Sequence, residues 1–189
     1  VANTACTPSR AALLTGTYAH RIGIDGGNGN LVVTFPGDSR GLNPSEITIA
    51  EMLRENGYAT GCFGKWHLGD QPEFMPLNQG FDTYFGIPYS NDMWPQHTAR
   101  NPITKRKYEP LPVMKQDKAV AHVADEFDQS LLAEVITDEA IAFIEKNQKR
   151  PFFCYIPHAH VHYPRHARPE YLERAEGNVD RAHVEEVDD

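Results

Sequence analysis

Apolar and polar positions in the first half of the chain are spaced as in a helix followed by a strand. Residues 44–57 (PSEITIAEMLRENG) have helical spacing, with Ser45 as a candidate N-cap and Gly57 as the residue that stops the helix. The apolar run YATGCF at 58–63 then predicts a strand. The segment GKWHLGD at 64–70 predicts the loop at the end of that strand.

The same order of elements occurs a second time. SLLAEVITDEAIAFIEKNQ at 130–148 has helical spacing, PFFCYIP at 151–157 predicts a buried strand, and HAHVHYPRH at 158–166 predicts the loop that follows it. This alternation predicts an α/β sandwich with a mostly parallel sheet. In such sheets the ligand-binding and catalytic residues lie beyond the carboxyl ends of the strands, and both histidine-bearing loops are predicted at those ends.

A shorter helix is predicted near the start of the chain. Pro8 suits the first turn of a helix and Gly16 suits its end, so PSRAALLT at 8–15 is predicted to be helical, with Cys6 just before it. A helix N-terminus carries unpaired N–H groups and about half a positive charge, and it binds anions such as sulfate or phosphate. Arg10 would add a fixed cation to this site.

Composition limits the partners that the chain can have. The net charge of -8 argues against binding to nucleic acid or an anionic membrane, and the apolar content of 40% is enough for a core. Apolar runs stay well below the roughly 18 residues of a membrane span. The segments 25–30 and 70–118 are rich in Gly, Pro and Asn and are predicted to be loops with little regular structure. Because the chain lacks an initial Met, we expect it to be truncated at both ends.

The three cysteines are too widely spaced for a disulfide framework or a zinc site. Cys62 and Cys154 lie in strand-like apolar runs, which predicts buried free thiols. Cys6 has two readings from the residues alone: a helix-capping side chain without chemistry, or a thiolate nucleophile. A thiolate of the tyrosine-phosphatase type needs a longer spacing between Cys and Arg than Cys6 and Arg10 have.

Four segments, taken together, resemble the sulfatase family. CTPSRAALLTG at 6–16 is similar to the family signature whose cysteine is oxidised to formylglycine, and GYATGCFGKWHLG at 57–69 is similar to the second signature. NQGFDTYFGIPYSNDM at 78–93 resembles a segment of arylsulfatase A-like members. RPFFCYIPHAHVHYP at 150–164 is similar to a strand and loop that deliver an active-site histidine. The resemblance implies an alkaline-phosphatase-like sandwich, with residues 1–189 as part of the N-terminal catalytic domain.

The resemblance also implies roles for residues in the first two motifs. Cys6 would become formylglycine, whose hydrate attacks the sulfur of a sulfate monoester, and Arg10 would stabilise the hydrated form. Lys65 would bind the sulfate oxygens. His67 would take the proton that triggers release of sulfate.

The later motifs imply two further contacts to sulfate. Ser90 from GIPYS would bind a sulfate oxygen, and His162 from HYP would bind sulfate or, like Lys65, protonate the leaving oxygen. His162 lies in a crowded loop with His158, His160 and His166. The distance from the strand and the match to Pro164 favour His162, with His160 as the alternative.

A divalent metal, usually calcium, is the cofactor that the family resemblance implies. The formylglycine from Cys6 would be one ligand, whereas such a cation takes about six or more oxygen ligands. Asp25, Asp38 and Asp92 match no metal motif and are expected to be surface or loop carboxylates. The remaining ligands are therefore expected outside this chain, and the chain alone is expected to be inactive.

The function implied is hydrolysis of aryl or carbohydrate sulfates. The partners implied are the sulfated substrate and a formylglycine-generating or anaerobic sulfatase-maturing enzyme, and the location implied is secreted, periplasmic or lysosomal. Three alternatives stay open at this point. They are a formylglycine-dependent phosphonate monoester or phosphodiester hydrolase, a histidine-rich zinc-binding module without activity, and an inactive family member.

Overall fold

The computed structural model describes residues 3–25, 32–96 and 107–189. Most of the loop predicted at 25–30, and part of the segment 70–118, lie outside the described residues. Within the described ranges, every helix is too short or too polar to cross a bilayer.

A five-stranded sheet runs through the described part of the chain, with strand order β4-β3-β2-β1-β5. Strands β2 and β5 both pair in parallel with β1, whereas β3 pairs antiparallel with β2 and with β4. Because β4 therefore has the direction of β2, only β3 opposes the other strands, and the prediction of a mostly parallel sheet is confirmed. The strands are β1 (Ala59–Lys65), β2 (Thr83–Ile87), β3 (Leu111–Lys115), β4 (Lys118–Val123) and β5 (Phe152–Tyr155).

Helices cover both faces of this sheet and bury two separate apolar clusters. On one face Phe63 and Phe85 pack against the longest helix, where the rings of Phe63 and Phe143 are 5.2 Å apart. On the other face Cys62 and Tyr84 pack with the first two helices. The described helices are α1 (Cys6–Thr15), α2 (Ile49–Glu55), α3 (Glu126–Ser130), α4 (Leu132–Asn147), α5 (Pro169–Arg174) and α6 (Val179–Asp188).

Two helix starts differ from the predictions. Helix α2 begins at Ile49, so Ser45 is not its N-cap; Thr48 caps it in a reciprocal pair with Glu51. This pair satisfies two unpaired backbone N–H groups, which Ser45 cannot reach. Helix α1 begins at Cys6 itself, so the cysteine lies in its first turn rather than before it. Gly57 lies just beyond α2 in a left-handed conformation, as predicted.

The prediction of loops over 70–118 is wrong for β2, for β3 and for the first residue of β4. Each of the strands β2 and β3 has only five residues. Their flanks contain the Pro, Gly and Asn residues that suggested loops. Pairing across the sheet supplies the stability that so short a strand lacks alone.

A pair of glycines brings the ends of three strands close together. Gly64 and Gly86 are partners across β1 and β2, and a Cβ on Gly86 would lie 2.0 Å from the Gly64 carbonyl oxygen. A Cβ on Gly64 would lie 2.3 Å from the carbonyl oxygen of Pro157, in the loop after β5. That carbonyl accepts a hydrogen bond of 2.8 Å from the N–H of Lys65. The glycines thus let the loop after β5 reach the end of β1.

The remaining cysteines partly follow the prediction of buried thiols. Cys62 is fully buried, and burial raises the pKa of its thiol. Cys154 lies in β5, the last strand of the sheet order, and is only half-buried. Burial raises its pKa to about 11. Neither thiol is ionised near neutral pH.

Candidate active site

Cys6 lies in the first turn of α1, where no side chain caps the helix. Its Sγ accepts a hydrogen bond of 3.5 Å from Nζ of Lys65. A hydrogen bond with the His162 side chain lowers the Cys6 pKa to about 7, helped by the charges of Lys65 and Arg10 and opposed by burial. The surroundings of residue 6 therefore stabilise a negative charge.

Arg10 connects α1 to the carboxyl end of β1 through a hydrogen bond. Its guanidinium donates a hydrogen bond to the backbone carbonyl of Lys65 and a further one to the Tyr155 side chain. The helix that carries Cys6 is therefore held against the strand that carries Lys65, and a fixed cation stays near Cys6.

Lys65 is the last residue of β1 and its side chain is buried. Its Nζ donates to the hydroxyl of Ser90 at 2.8 Å as well as to Cys6. Burial lowers its pKa to about 8, and the neighbouring Cys6 acts in the opposite direction. At neutral pH Lys65 is therefore still mostly a cation, yet it gives up a proton more readily than an exposed lysine.

His67 is buried and has a left-handed backbone conformation, with φ of 60°. Its Nε2 lies 2.9 Å from the carbonyl oxygen of Thr34. A carbonyl only accepts hydrogen bonds, so Nε2 carries the proton and Nδ1 holds a lone pair. Nδ1 is buried and has no hydrogen-bond partner among the described residues. Burial holds the pKa of His67 well below its usual value, so the ring is neutral.

The two candidate histidines of the loop after β5 have different surroundings. Nδ1 of His162 lies 2.5 Å from the Tyr163 carbonyl oxygen, and its side chain hydrogen bonds to Cys6. Nε2 of His160 lies 3.7 Å from a carboxylate oxygen of Glu186, and its ring centroid is 3.9 Å from that of His183. His162 therefore lies beside Cys6, whereas His160 packs against helix α6.

A cleft of about 400 Å³ opens over Cys6. The cleft is surrounded by cationic groups, by the N-terminus of α1 and by three histidines. Such surroundings can bind a small anionic group, and the open cleft leaves room for the molecule that carries this group. His67 and Ser90 are buried and do not line it. The lining residues are Cys6, Ser9, Arg10, Leu13, Lys65, Tyr155, Pro157, His158, Ala159, His160 and His162.

Comparison with known proteins decides the family of this chain. The family model described as sulfatase matches residues 1–187. The chain belongs to the sulfatase family. The sulfatase chain is 36% identical to mouse (Mus musculus) arylsulfatase G over 97% of its length, and 37% identical to human (Homo sapiens) arylsulfatase A over 90%.

A solved structure confirms the fold of this chain. A sulfatase from Pseudoalteromonas sp. superposes with a TM-score of 0.81, covers 99% of the chain and is 24% identical to it. The alkaline-phosphatase-like α/β fold implied by the sequence motifs is thus confirmed. The chain spans 37% of mouse arylsulfatase G, 34% of human arylsulfatase A and 40% of the Pseudoalteromonas chain.

The structure brings most of the predicted site residues close together around Cys6 and Lys65. Lys65 joins Cys6 to Ser90, and His162 contacts Cys6 from the loop after β5. Arg10 reaches the same group through the Lys65 carbonyl. His67 is close enough for Lys65, Arg10 and His162 to lower its pKa. The catalytic roles of these residues stay predictions.

The described residues do not form a metal site. Across residues 3–25, 32–96 and 107–189, no three His, Cys, Asp or Glu side chains come together in a way that could hold a metal ion. Asp38 accepts hydrogen bonds from Phe35 and Arg40. The charge of the half-buried Asp92 partly opposes the lowering of the Lys65 pKa that burial causes. The loop histidines equally provide no ligand set for a zinc module.

Sequence reasoning missed three residues that support this site. Tyr155 interacts with Arg10. Thr7 binds the backbone carbonyl of His67, and the Thr34 carbonyl binds the His67 ring. Thr7 lies inside the CTPSR motif next to Cys6, which is a usable signal. Thr34 contributes only backbone groups, so its residue type carries no signal.

Proposed function

We propose that this sulfatase domain hydrolyses sulfate monoesters of aryl or carbohydrate alcohols through a formylglycine hydrate at residue 6. The observation that supports the proposal is the set of donors around Cys6. Lys65 and His162 hydrogen bond to it, and Arg10 adds a further positive charge. The Cys6 Sγ stands in for a hydroxyl oxygen of the hydrate, and donors that stabilise a thiolate equally stabilise an ionised hydroxyl.

In the first step, one hydroxyl of the hydrate loses its proton to water, and the resulting oxyanion attacks the sulfur of the substrate. An O–S bond forms to residue 6 while the bond from sulfur to the alcohol oxygen breaks. Lys65 and His162 bind the sulfate oxygens as charge shifts in the transition state, and the buried Ser90 holds the Lys65 ammonium group from behind instead of reaching sulfate itself. The departing alcohol takes a proton from Lys65 or His162. The lowered pKa of Lys65 fits that role.

In the second step, the other hydroxyl of residue 6 gives its proton to Nδ1 of His67. The carbonyl of the aldehyde re-forms as the C–O bond to sulfate breaks, and sulfate leaves. A neutral His67 with a buried lone pair is suited to accept this proton. Water then hydrates the aldehyde for the next cycle.

We also propose that residues 1–189 are part of a catalytic domain whose metal ligands lie mainly outside them. The described residues hold no ligand set, and a hard cation such as calcium needs about six oxygen ligands. When bound, the metal would stabilise negative charge on the nucleophile. A formylglycine-generating or anaerobic sulfatase-maturing enzyme would be the partner, in a secreted, periplasmic or lysosomal setting.

Peptide mass mapping after co-expression with a formylglycine-generating enzyme tests the proposal directly. We expect the peptide with Cys6 to be lighter than its thiol form and to react with aldehyde probes. The peptides with Cys62 and Cys154 should keep free thiols, which makes them internal controls. The whole protein should release sulfate from an aryl sulfate, and Cys6→Ala should abolish that release.

Two results would contradict the proposal. One is an unmodified Cys6 under conditions that convert a control sulfatase. The other is a converted protein that hydrolyses a phosphonate monoester but neither an aryl nor a carbohydrate sulfate, which would favour the phosphonate hydrolase alternative.

A further inference from the structure

We propose that Thr7 is a positioning residue that fixes the backbone and the tautomer of His67 for the sulfate-releasing step. The expected effect on sulfate release rests on the proposed function, whereas the expected effect on the backbone and tautomer of His67 does not. Thr7 directly follows the nucleophile in the chain, so one short segment would carry the nucleophile and also orient its base.

Thr7, Thr34 and His67 form a closed ring of hydrogen bonds. The Thr7 hydroxyl donates to the His67 carbonyl at 3.0 Å and accepts from the Thr34 N–H at 3.2 Å. The Thr34 carbonyl in turn accepts from Nε2 of His67 at 2.9 Å. All three residues are buried. The Thr7 hydroxyl therefore holds both the backbone of His67 and the segment that binds its ring.

The backbone of His67 needs such support. Its φ of 60° lies in the left-handed region, which side-chain-bearing residues rarely adopt without surrounding contacts. Its own N–H donates to the Pro88 carbonyl at 3.0 Å, and its carbonyl accepts from Thr7. Loss of the Thr7 hydroxyl would leave a buried carbonyl without this donor and would release one side of the conformation.

The tautomer of His67 determines whether the ring can act as a base at Nδ1. While Nε2–H donates to Thr34, Nδ1 keeps its lone pair. In the proposed function this lone pair takes the proton of the remaining hydroxyl of sulfated residue 6. That transfer forms the aldehyde carbonyl and breaks the C–O bond to sulfate. A ring with its proton on Nδ1 cannot accept it there. A disturbed Thr34 segment should therefore slow the second step, release of sulfate, more than the first step, transfer of sulfate to residue 6.

Thr60 provides a matched control for the loss of a buried threonine hydroxyl. Its hydroxyl donates to the Gly80 carbonyl at 2.8 Å and accepts from the Asp82 N–H at 3.0 Å, so it makes the same two kinds of bond as Thr7. It is fully buried near the other end of β1. Thr60→Val should lower stability in the way that Thr7→Val does, but it should leave His67 unchanged.

The experiment compares Thr7→Val, Thr7→Ser and Thr60→Val in the whole protein, with two measurements. Nitrogen-15 NMR of the His67 ring, recorded on the unconverted Cys6 form, reports the tautomer without any need for activity. Rapid quenching after mixing with excess aryl sulfate, followed by mass spectrometry, reports the fraction of residue 6 that carries sulfate. Rates are expressed per aldehyde-bearing molecule.

We expect the wild type, Thr7→Ser and Thr60→Val to show the Nε2–H tautomer and little accumulated sulfated enzyme. Thr7→Val should show mixed tautomers, a turnover lowered about 10-fold or more, and accumulation of the sulfated form. If Thr7→Val does not fold, Thr7→Ala removes the same hydroxyl without adding a methyl group, and the same results are expected of it.

Several results separate failure of this inference from failure of the proposed function. Thr7→Val with the wild-type tautomer, or with slowed turnover but no accumulated sulfated enzyme, would overturn the positioning role. A changed tautomer in a protein whose wild type neither forms the aldehyde nor releases sulfate would support the positioning of His67 and overturn the proposed function.

Discussion

At the scale of single residues, His160 and His162 are two positions apart and contact different neighbours. His162 contacts Cys6, whereas His160 packs beside Glu186 and His183. We expect His162→Ala to lower kcat/KM for an aryl sulfate by about 10²-fold or more, as for the loss of one charge-stabilising donor. His160→Ala should lower it much less, and mainly through loop packing. Initial rates on folded, aldehyde-bearing protein give both values.

His122→Ala serves as the control, because His122 is exposed on β4. Near-normal activity of His162→Ala together with loss of activity in His160→Ala would place the sulfate-binding role two residues earlier. If neither change affects the rate, the loop is structural and the assignment of its histidine fails.

At the scale of elements, the start of α2 provides a test of stability. Thr48 caps the helix with Glu51, and its hydroxyl also donates to the buried Gln79 carbonyl at 2.8 Å. We expect Thr48→Ala to lower the free energy of unfolding by about 1–2 kcal/mol. Ser45→Ala should change it by less than about 0.5 kcal/mol, because Ser45 lies outside the helix. Urea denaturation of both variants measures the difference, and equal effects would contradict this assignment of the cap.

The same helix shows what local sequence could and could not predict. Its apolar spacing and Gly57 indicated the element, but Ser45 and Thr48 are both good caps, and only the contacts with Glu51 and Gln79 select Thr48. Likewise β2 was missed because its five residues gain their stability from neighbouring strands.

The candidate site was more predictable than the fold around it. Cys6, Lys65 and His162 lie in contiguous motifs that resemble the sulfatase family, and that resemblance, not residue type and spacing alone, indicated them; their catalytic roles stay predictions. Thr34 was beyond prediction because it acts through its backbone, and its proximity to His67 exists only in the folded chain.

At the scale of the whole molecule, His183 makes stability depend on pH. It lies on helix α6 and is buried against His160 of the loop after β5. Burial lowers its pKa to about 4, helped by the nearby charges of His160, Arg165 and His166 and opposed by Glu186. The unfolded chain would bind a proton on this residue below about pH 6.5. Its contribution to stability is therefore complete above that pH and is lost as the pH falls towards 4.

We expect His183→Phe to flatten this dependence between about pH 7.5 and about pH 5, by about 2 kcal/mol in the change of unfolding free energy. Denaturant titrations at the two pH values measure it. His20→Phe changes an exposed histidine and should leave the dependence as it is in the wild type. An equal slope for the wild type and His183→Phe would contradict the role assigned to His183.

The glycine pair between β1 and β2 has a consequence for how this domain can diversify. With a Gly86 Cβ placed only 2.0 Å from the Gly64 carbonyl oxygen, the ends of β1 and β2 accept no added side chain at this pair. Leu13 on α1, in contrast, is 65% exposed at the rim of the same cleft. We therefore expect changes of substrate preference to arise more readily through Leu13 and its neighbour Ser9 on α1 than through the glycine pair at the ends of β1 and β2.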